Sequence, residues 1–129
     1  MKIFRVIVPV SDLETAVSFY ARLLDMPGRA VRGGRHYFDC GPVILALLDN
    51  KLLDNKKPPN SDYLYLAVAG LEAVHARATD LGCLSKESVH GASAGEMIVR
   101  PWGERCFYVY DPFGNGLCFV EEGTEFTGR

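Results

Sequence analysis

Arg5 is the first residue in this chain placed where it can do chemistry. It alternates with Ile3 and Ile7 along a strand whose other face, Phe4, Val6 and Val8, is wholly apolar. A guanidinium in that setting is costly unless an acid pairs with it or a ligand meets it. Cysteine is the next candidate. Cys40, Cys83, Cys106 and Cys118 fall in separate predicted strands and form no C-x-x-C pair or zinc-ribbon spacing. They read as small buried thiols in a reducing compartment. Histidine offers less, because His75 has no second histidine four residues on and His90 stands in a stretch rich in glycine, alanine and serine.

The elements that must position these residues occur twice. Arg5-Val6-Ile7-Val8-Pro9-Val10-Ser11-Asp12-Leu13-Glu14 returns about 58 residues later as Tyr63-Leu64-Tyr65-Leu66-Ala67-Val68-Ala69-Gly70-Leu71-Glu72. His36-Tyr37-Phe38-Asp39 matches Tyr108-Val109-Tyr110-Asp111, and Leu45 to Asp49 matches Leu117 to Glu121, both at about 72. Two copies of a β-α-β-β-β unit explain both offsets, with an insertion in the second copy. Ser11-Asp12-Leu13-Glu14 is a capping box in which the Ser11 hydroxyl serves the Glu14 amide. The helix it opens buries Leu13, Ala16, Val17, Tyr20 and Leu24 and ends before Pro27-Gly28. Strands follow at 29–32, 35–40 and 43–48, with Gly33-Gly34 and Gly41-Pro42 as turns. In the second copy a strand at 63–68 precedes a helix with Leu71, Val74, Ala78 and Leu81 inward and Gly82 at its end. Residues 88–95 form the inserted loop, and strands at 106–110 and 116–122 close the copy.

The totals set bounds. The 129 residues fit one compact domain, with module one at 1–48, a linker at 49–61 whose lysines face water, module two at 62–122 and a polar, frayed tail at 123–129. Fourteen basic against sixteen acidic residues, with no basic stripe, exclude nucleic acid as a partner. The longest apolar runs are too short to span a bilayer, so no membrane partner is expected. Met1-Lys2 leads directly into the first strand pattern without a leader, and the expected compartment is the cytoplasm.

The stretch Val10 to Tyr20, then Gly70-Leu71-Glu72-Ala73-Val74, then Pro101-Trp102-Gly103-Glu104-Arg105 through Asp111-Pro112-Phe113-Gly114-Asn115, resembles the vicinal oxygen chelate superfamily. This is the group of glyoxalase I, bleomycin-resistance proteins and extradiol dioxygenases. The resemblance implies an α+β fold of two βαβββ modules whose sheets curve into a half-barrel around a cavity, commonly completed by a second subunit. It also implies a divalent ion in the metal-dependent members, held by a histidine on each module's first strand and a glutamate on each last strand. Those positions fall here on Arg5, Tyr63, Ala46 and Cys118. Arginine offers only donors, alanine has no ligand atom and tyrosine is a poor ligand, which leaves Cys118 alone. One thiolate holds no zinc, magnesium, manganese or iron site, so no metal and no cofactor are expected.

On the face that the resemblance assigns to the cavity, alternation places Arg5, Ile7, Tyr63, Tyr65, Cys118 and Val120 in phase. The facing hairpins add His36, Phe38, Ile44, Leu48, Cys106, Tyr108 and Tyr110, with Trp102 overhanging. This aromatic wall suits an uncharged or weakly acidic planar molecule, with Arg5 on an anionic or carbonyl group. The strand acids Asp39, Asp49, Asp111 and Glu121 are out of phase with it and only Glu122 is in phase, which disfavours a cationic drug. The expected function is metal-independent binding of a small aromatic or apolar ligand by a homodimer. The alternative is a lyase, isomerase or dioxygenase-like enzyme with an unrecognised metal or a cysteine-based site, in which Arg5 favours a Cys118 thiolate and His36 acts as base.

Overall fold

The computed structural model describes residues 1–54 and 56–129; Asn55, inside the predicted linker, lies outside the described residues. Among the described residues ten strands and two α-helices appear, and the β-α-β-β-β order occurs twice. The chain separates into two compact units, one of residues 1–61 with 112–115, the other of residues 62–111 with 116–129.

In the first unit β1 (Arg5–Val10) lies parallel to β4 (Val43–Asp49), and β3 (Arg35–Cys40) joins β4 to the edge strand β2 (Arg29–Val31). A parallel first and last strand need a crossover, which α1 (Leu13–Leu24) provides. Val8, Val10, Leu45, Leu47 and Phe38 from the sheet bury against Ala16, Phe19, Tyr20 and Leu23 from the helix. The cap differs from the capping-box reading. Asp12, not Ser11, is the N-cap, extended at φ −145° and ψ 102°, and its carboxylate accepts from Thr15 N at 3.1 Å. This bond holds the Asp12 carboxyl below its ordinary range. The helix stops at Leu24 because Asp25 turns left-handed, φ 53°. After β4 the chain makes a short 3-10 turn at Asn50–Leu52, and the Asn50 carboxamide clasps both main-chain groups of Lys57. Lys51, Lys56 and Lys57 are exposed.

The second unit repeats the order: β5 (Leu64–Val68), α2 (Leu71–Asp80), then β8 (Ile98–Val99), β9 (Arg105–Tyr110) and β10 (Gly116–Glu121), in sheet order β5-β10-β9-β8. Leu71, Val74 and Ala78 of α2 are buried on the side of the sheet that carries Phe107, Val109, Leu117 and Phe119. Phe107 stacks on Phe119 with centroids 5.5 Å apart, and His75 meets Phe107 edge-on at 4.7 Å. The inserted loop folds into a ribbon of β6 (Ser88–Val89) and β7 (Ala92–Ser93) around His90 and Gly91, both at positive φ as a type I′ turn requires. Cys83 lies outside any strand. The tail is tied down, since Thr124 Oγ1 accepts from Arg105 N at 3.1 Å and Phe126 N donates to Glu104 Oε2 at 2.8 Å.

Candidate functional site

The ladder registers fix which side chains share a face. In the first unit Ile7 pairs with Ala46 and Ala46 with Tyr37, so Arg5, Ile7, Ala46, Arg35, Tyr37 and Asp39 lie on the face away from α1. Arg5 and Ile7 are exposed and Ala46 is buried. Arg5 Nη1 donates to Tyr37 Oη at 3.4 Å, and its Cζ lies 5.2 Å from the Phe4 ring centroid. Among the described residues no carboxylate pairs with Arg5. Asp39 shares its face, where it takes an exposed 2.7 Å bridge from Arg29.

His36 and Phe38 lie on the opposite face, which corrects the sequence assignment. Phe38 is buried with its centroid 6.3 Å from Tyr20, and His36 Nε2 is 2.9 Å from the Pro27 carbonyl. The cause is one residue of hairpin length. Ala46 and Cys118 are 72 positions apart, but their partners Tyr37 and Tyr108 are only 71 apart. Counted between these paired positions the second hairpin is therefore one residue longer than the first, and matching the two by sequence at 72 shifts β3 by one. A slip of one residue turns every side chain of a strand to the other face.

In the second unit the assignment holds its phase. Cys118 pairs with Tyr65 on one side and Tyr108 on the other, and Val120 pairs with Cys106. Cys106, Tyr108, Cys118, Val120 and Ala94 form a buried cluster, with Tyr63 and Val89 packed on it. The Tyr63 and Tyr108 rings are 4.7 Å apart. Tyr63 Oη reaches Tyr110 Oη and Glu87 Oε2, each at 3.0 Å. Burial and these two bonds push the Tyr63 phenol well above its ordinary value. Gly116 makes room for this ring, because a Cβ there would sit 2.6 Å from Tyr63 Cδ1.

Beside this cluster a pocket of about 590 Å³ is lined by Tyr65, Ala67, Trp102, Val120 and Phe126, with Glu104 and Glu125. Tyr65 is 55% exposed and stands edge-on to Tyr108. Glu104 is nearly buried. One of its oxygens accepts from Trp102 Nε1 at 2.7 Å and the other from Phe126 N, so the carboxylate orients the rings. Glu104, Glu125 and Phe126 lie outside the alternating strands and were missed in the sequence. An aromatic residue in an otherwise polar tail was the only signal for Phe126. A second groove, about 670 Å³, runs between α2 and the segment from Leu84 to Ile98 and has no aromatic wall besides His75, whose Nε2 lies 3.0 Å from the Gly95 carbonyl.

The four positions that hold metal in the metal-dependent superfamily members do not fit an ion here. Arg5 offers only donors, Ala46 offers nothing, and the Tyr63 phenol keeps its proton. The Cys118 thiol is pushed up by its hydrogen bond with Cys106 and by burial, so it too is protonated. Among the described residues no three His, Cys, Asp or Glu side chains come together as a ligand set.

Comparison with known proteins agrees with this fold. A glyoxalase/bleomycin resistance protein from Albidiferax ferrireducens T118 superposes with a TM-score of 0.74 at 23% identity, covering 93% of this chain and 98% of its own. The oxidase ChaP-H2 gives 0.75 at 18% identity, covering 99% and 98%. A lactoylglutathione lyase from Agrobacterium tumefaciens gives 0.63 at 20%, covering 94% and 93%. No curated protein sequence matches significantly. At these identities the superpositions establish the fold, and the sequence model of the superfamily matches residues 2–119. The chain therefore belongs to the glyoxalase/bleomycin resistance protein/dioxygenase superfamily.

Proposed function

We propose that this protein is a metal-independent, cytoplasmic, homodimeric binding protein that holds an uncharged aromatic or apolar small molecule. The observation that carries the reading is the second-module pocket, where Tyr65, Trp102 and Phe126 present rings to a space of about 590 Å³. Sites of this kind take planar ligands by stacking, with a few polar groups for orientation. Glu104 has both oxygens occupied by Trp102 and Phe126, so it disfavours an anionic ligand without standing ready to bind a cation. The weakly acidic ligand class thereby loses support. Tyr63, Cys106, Tyr108 and Cys118 form the layer behind the pocket wall. Arg5 and Ile7 belong to the exposed face of the first module and do not line this pocket. His36 and Phe38, facing α1, take no part.

The donor chemistry at Arg5, Ala46, Tyr63 and Cys118 supports metal independence. Native mass spectrometry of the freshly purified full chain tests the whole reading at once. A metal-free dimer carrying an organic adduct is the expected spectrum. A dimer with stoichiometric divalent ions would overturn it in favour of metal-dependent catalysis.

A further inference from the structure

The aromatic pocket of the second module is nearly all acceptor along its polar wall. Its polar side-chain atoms are the Tyr65 hydroxyl, the Trp102 indole N–H and the carboxylate oxygens of Glu104 and Glu125. The indole N–H is already given to Glu104 at 2.7 Å. Among the lining side chains this leaves the Tyr65 hydroxyl as the one donor for a ligand, set against two carboxylates. No cation in the lining balances them. Arg105, next to Glu104 in the chain, is committed to Glu72 at 2.8 Å and to Glu121 at 3.0 Å. Arg100 is 2% exposed, with its Cζ 5.2 Å from the Tyr108 ring centroid, and gives Nη2 to the carbonyls of Ser93, Ala94 and Glu96.

The two carboxylates are not equivalent. Glu104 is buried, and each of its oxygens already holds a donor. Glu125 is exposed. Its Oε1 accepts from Gly123 N, while among the described residues Oε2 accepts nothing. The main chain is pinned on both sides of it. Thr124 Oγ1 accepts from Arg105 N at 3.1 Å and donates to the Glu121 carbonyl at 2.8 Å, and Phe126 N donates to Glu104 Oε2 at 2.8 Å. Glu125 is therefore an acceptor placed in advance, in the same lining as the Phe126 ring, with little freedom left to lose when a ligand arrives.

We propose that the ligand of this pocket is a neutral aromatic molecule whose edge carries an N–H or O–H donor, and that Glu125 Oε2 accepts from it. The proposal rests on the reading of this pocket as the ligand site, and it adds the chemistry of the ligand's polar edge to that of its rings. A ligand whose edge is a carbonyl or an ether sets lone pairs against carboxylate lone pairs, and stacking it on the rings takes those oxygens out of water unpaired. A donor edge removes that cost and forms a hydrogen bond to a charged acceptor, worth about tenfold in affinity. A full positive charge on the ligand gains little more, because Glu104 is already satisfied and Glu125 stands where solvent screens its charge.

The test is a cycle of two probes and two proteins, read by quenching of Trp102 emission in the full-length chain. Carbazole and N-methylcarbazole are both planar and neutral, and only the first has an N–H. Wild type should bind carbazole about tenfold more tightly than N-methylcarbazole. Glu125→Ala, a change at an exposed residue, should bring the two probes to within twofold of each other by weakening carbazole alone. A preference that persists in Glu125→Ala would come from the bulk of the added methyl group and would overturn the proposal. Equal affinities in wild type would overturn the donor edge and leave the aromatic reading standing. Failure of both probes to quench would overturn the aromatic reading itself, and the donor edge with it.

Discussion

Tyr65→Ala should weaken binding of an uncharged aromatic probe about tenfold, and the figure comes from the ring's exposure. Tyr65 is 55% exposed at the pocket. A tyrosine offers roughly 200 Å², so about 110 Å² is open to a ligand. At about 25 cal/mol per Å², covering all of it is worth about 2.7 kcal/mol. A planar ligand stacks on one face of the ring and covers about half, which leaves about 1.4 kcal/mol, or tenfold in Kd. The assay is built into the protein. Trp102 is the only tryptophan and lines the same pocket, so quenching of its emission by N-phenyl-1-naphthylamine reports occupancy directly. Val99→Ala, an exposed position outside the pocket lining, serves as the control and should leave Kd unchanged. A Tyr65→Ala affinity within twofold of wild type, with an unchanged urea midpoint, would show that the pocket does not hold its ligand by stacking on Tyr65.

Asn115→Ala should cost about 2–4 kcal/mol in urea unfolding, because Asn115 Nδ2 donates to the Pro9 carbonyl and Oδ1 accepts from Asn60 N, each at 2.8 Å, and both partners would lose their bond. Phe107→Ala should cost about 3–5 kcal/mol by the same measurement, since its buried ring stacks on Phe119 and meets His75 edge-on; a loss under about 1 kcal/mol would mean that the site collapses without a cavity. Tyr63 gives the native state a proton that the unfolded chain releases near pH 10. Its contribution is therefore complete below about 10 and falls as pH rises toward the higher folded value, and Tyr63→Phe should show a shallower alkaline loss of stability than wild type.

Strand alternation and helix stripes were legible because each depends on neighbours a few residues away. β1, β3, β4, β9 and β10 and both helices follow from that signal, to within two residues at their ends. The errors arise where two local readings compete or where a distant contact decides. Ser11 and Asp12 are both able to cap a helix, and only the extended conformation of Asp12 selects between them. Phe19 and Leu23 are buried beside Ala16 and Tyr20 while Leu13, Val17 and Leu24 are only half-buried, so the buried stripe of α1 is turned from the one expected. The β6–β7 ribbon and β8 have two residues per strand, too few for any period to register. Arg100 was invisible for a different reason. Nothing around it in sequence marks a buried cation, because its setting is made by carbonyls of Ser93, Ala94 and Glu96 and by the Tyr108 ring from a separate strand.

The duplication explains why chemistry gathers in one copy. The same ladder that pairs Ile7, Ala46 and Tyr37 in the first module pairs Tyr65, Cys118 and Tyr108 in the second, so the backbone is repeated while the face is rewritten. Side-chain identity on the strands does not by itself make the second face a site. Between its helix and its β9 the second module runs through residues 81–104, where the first needs only 25–34 between α1 and β3. That longer connection supplies Glu87 to the tyrosine pair, Val89 and Ala94 to the cover over the cysteines, Arg100 to the Tyr108 ring, and Trp102 with Glu104 to the pocket. The equivalent face of the first module has no such layer and leaves Arg5 and Ile7 in the open. Burial is the leading cause of the upward shift of the Tyr63 phenol, so the insertion, more than any single strand residue, sets the second face apart from the first.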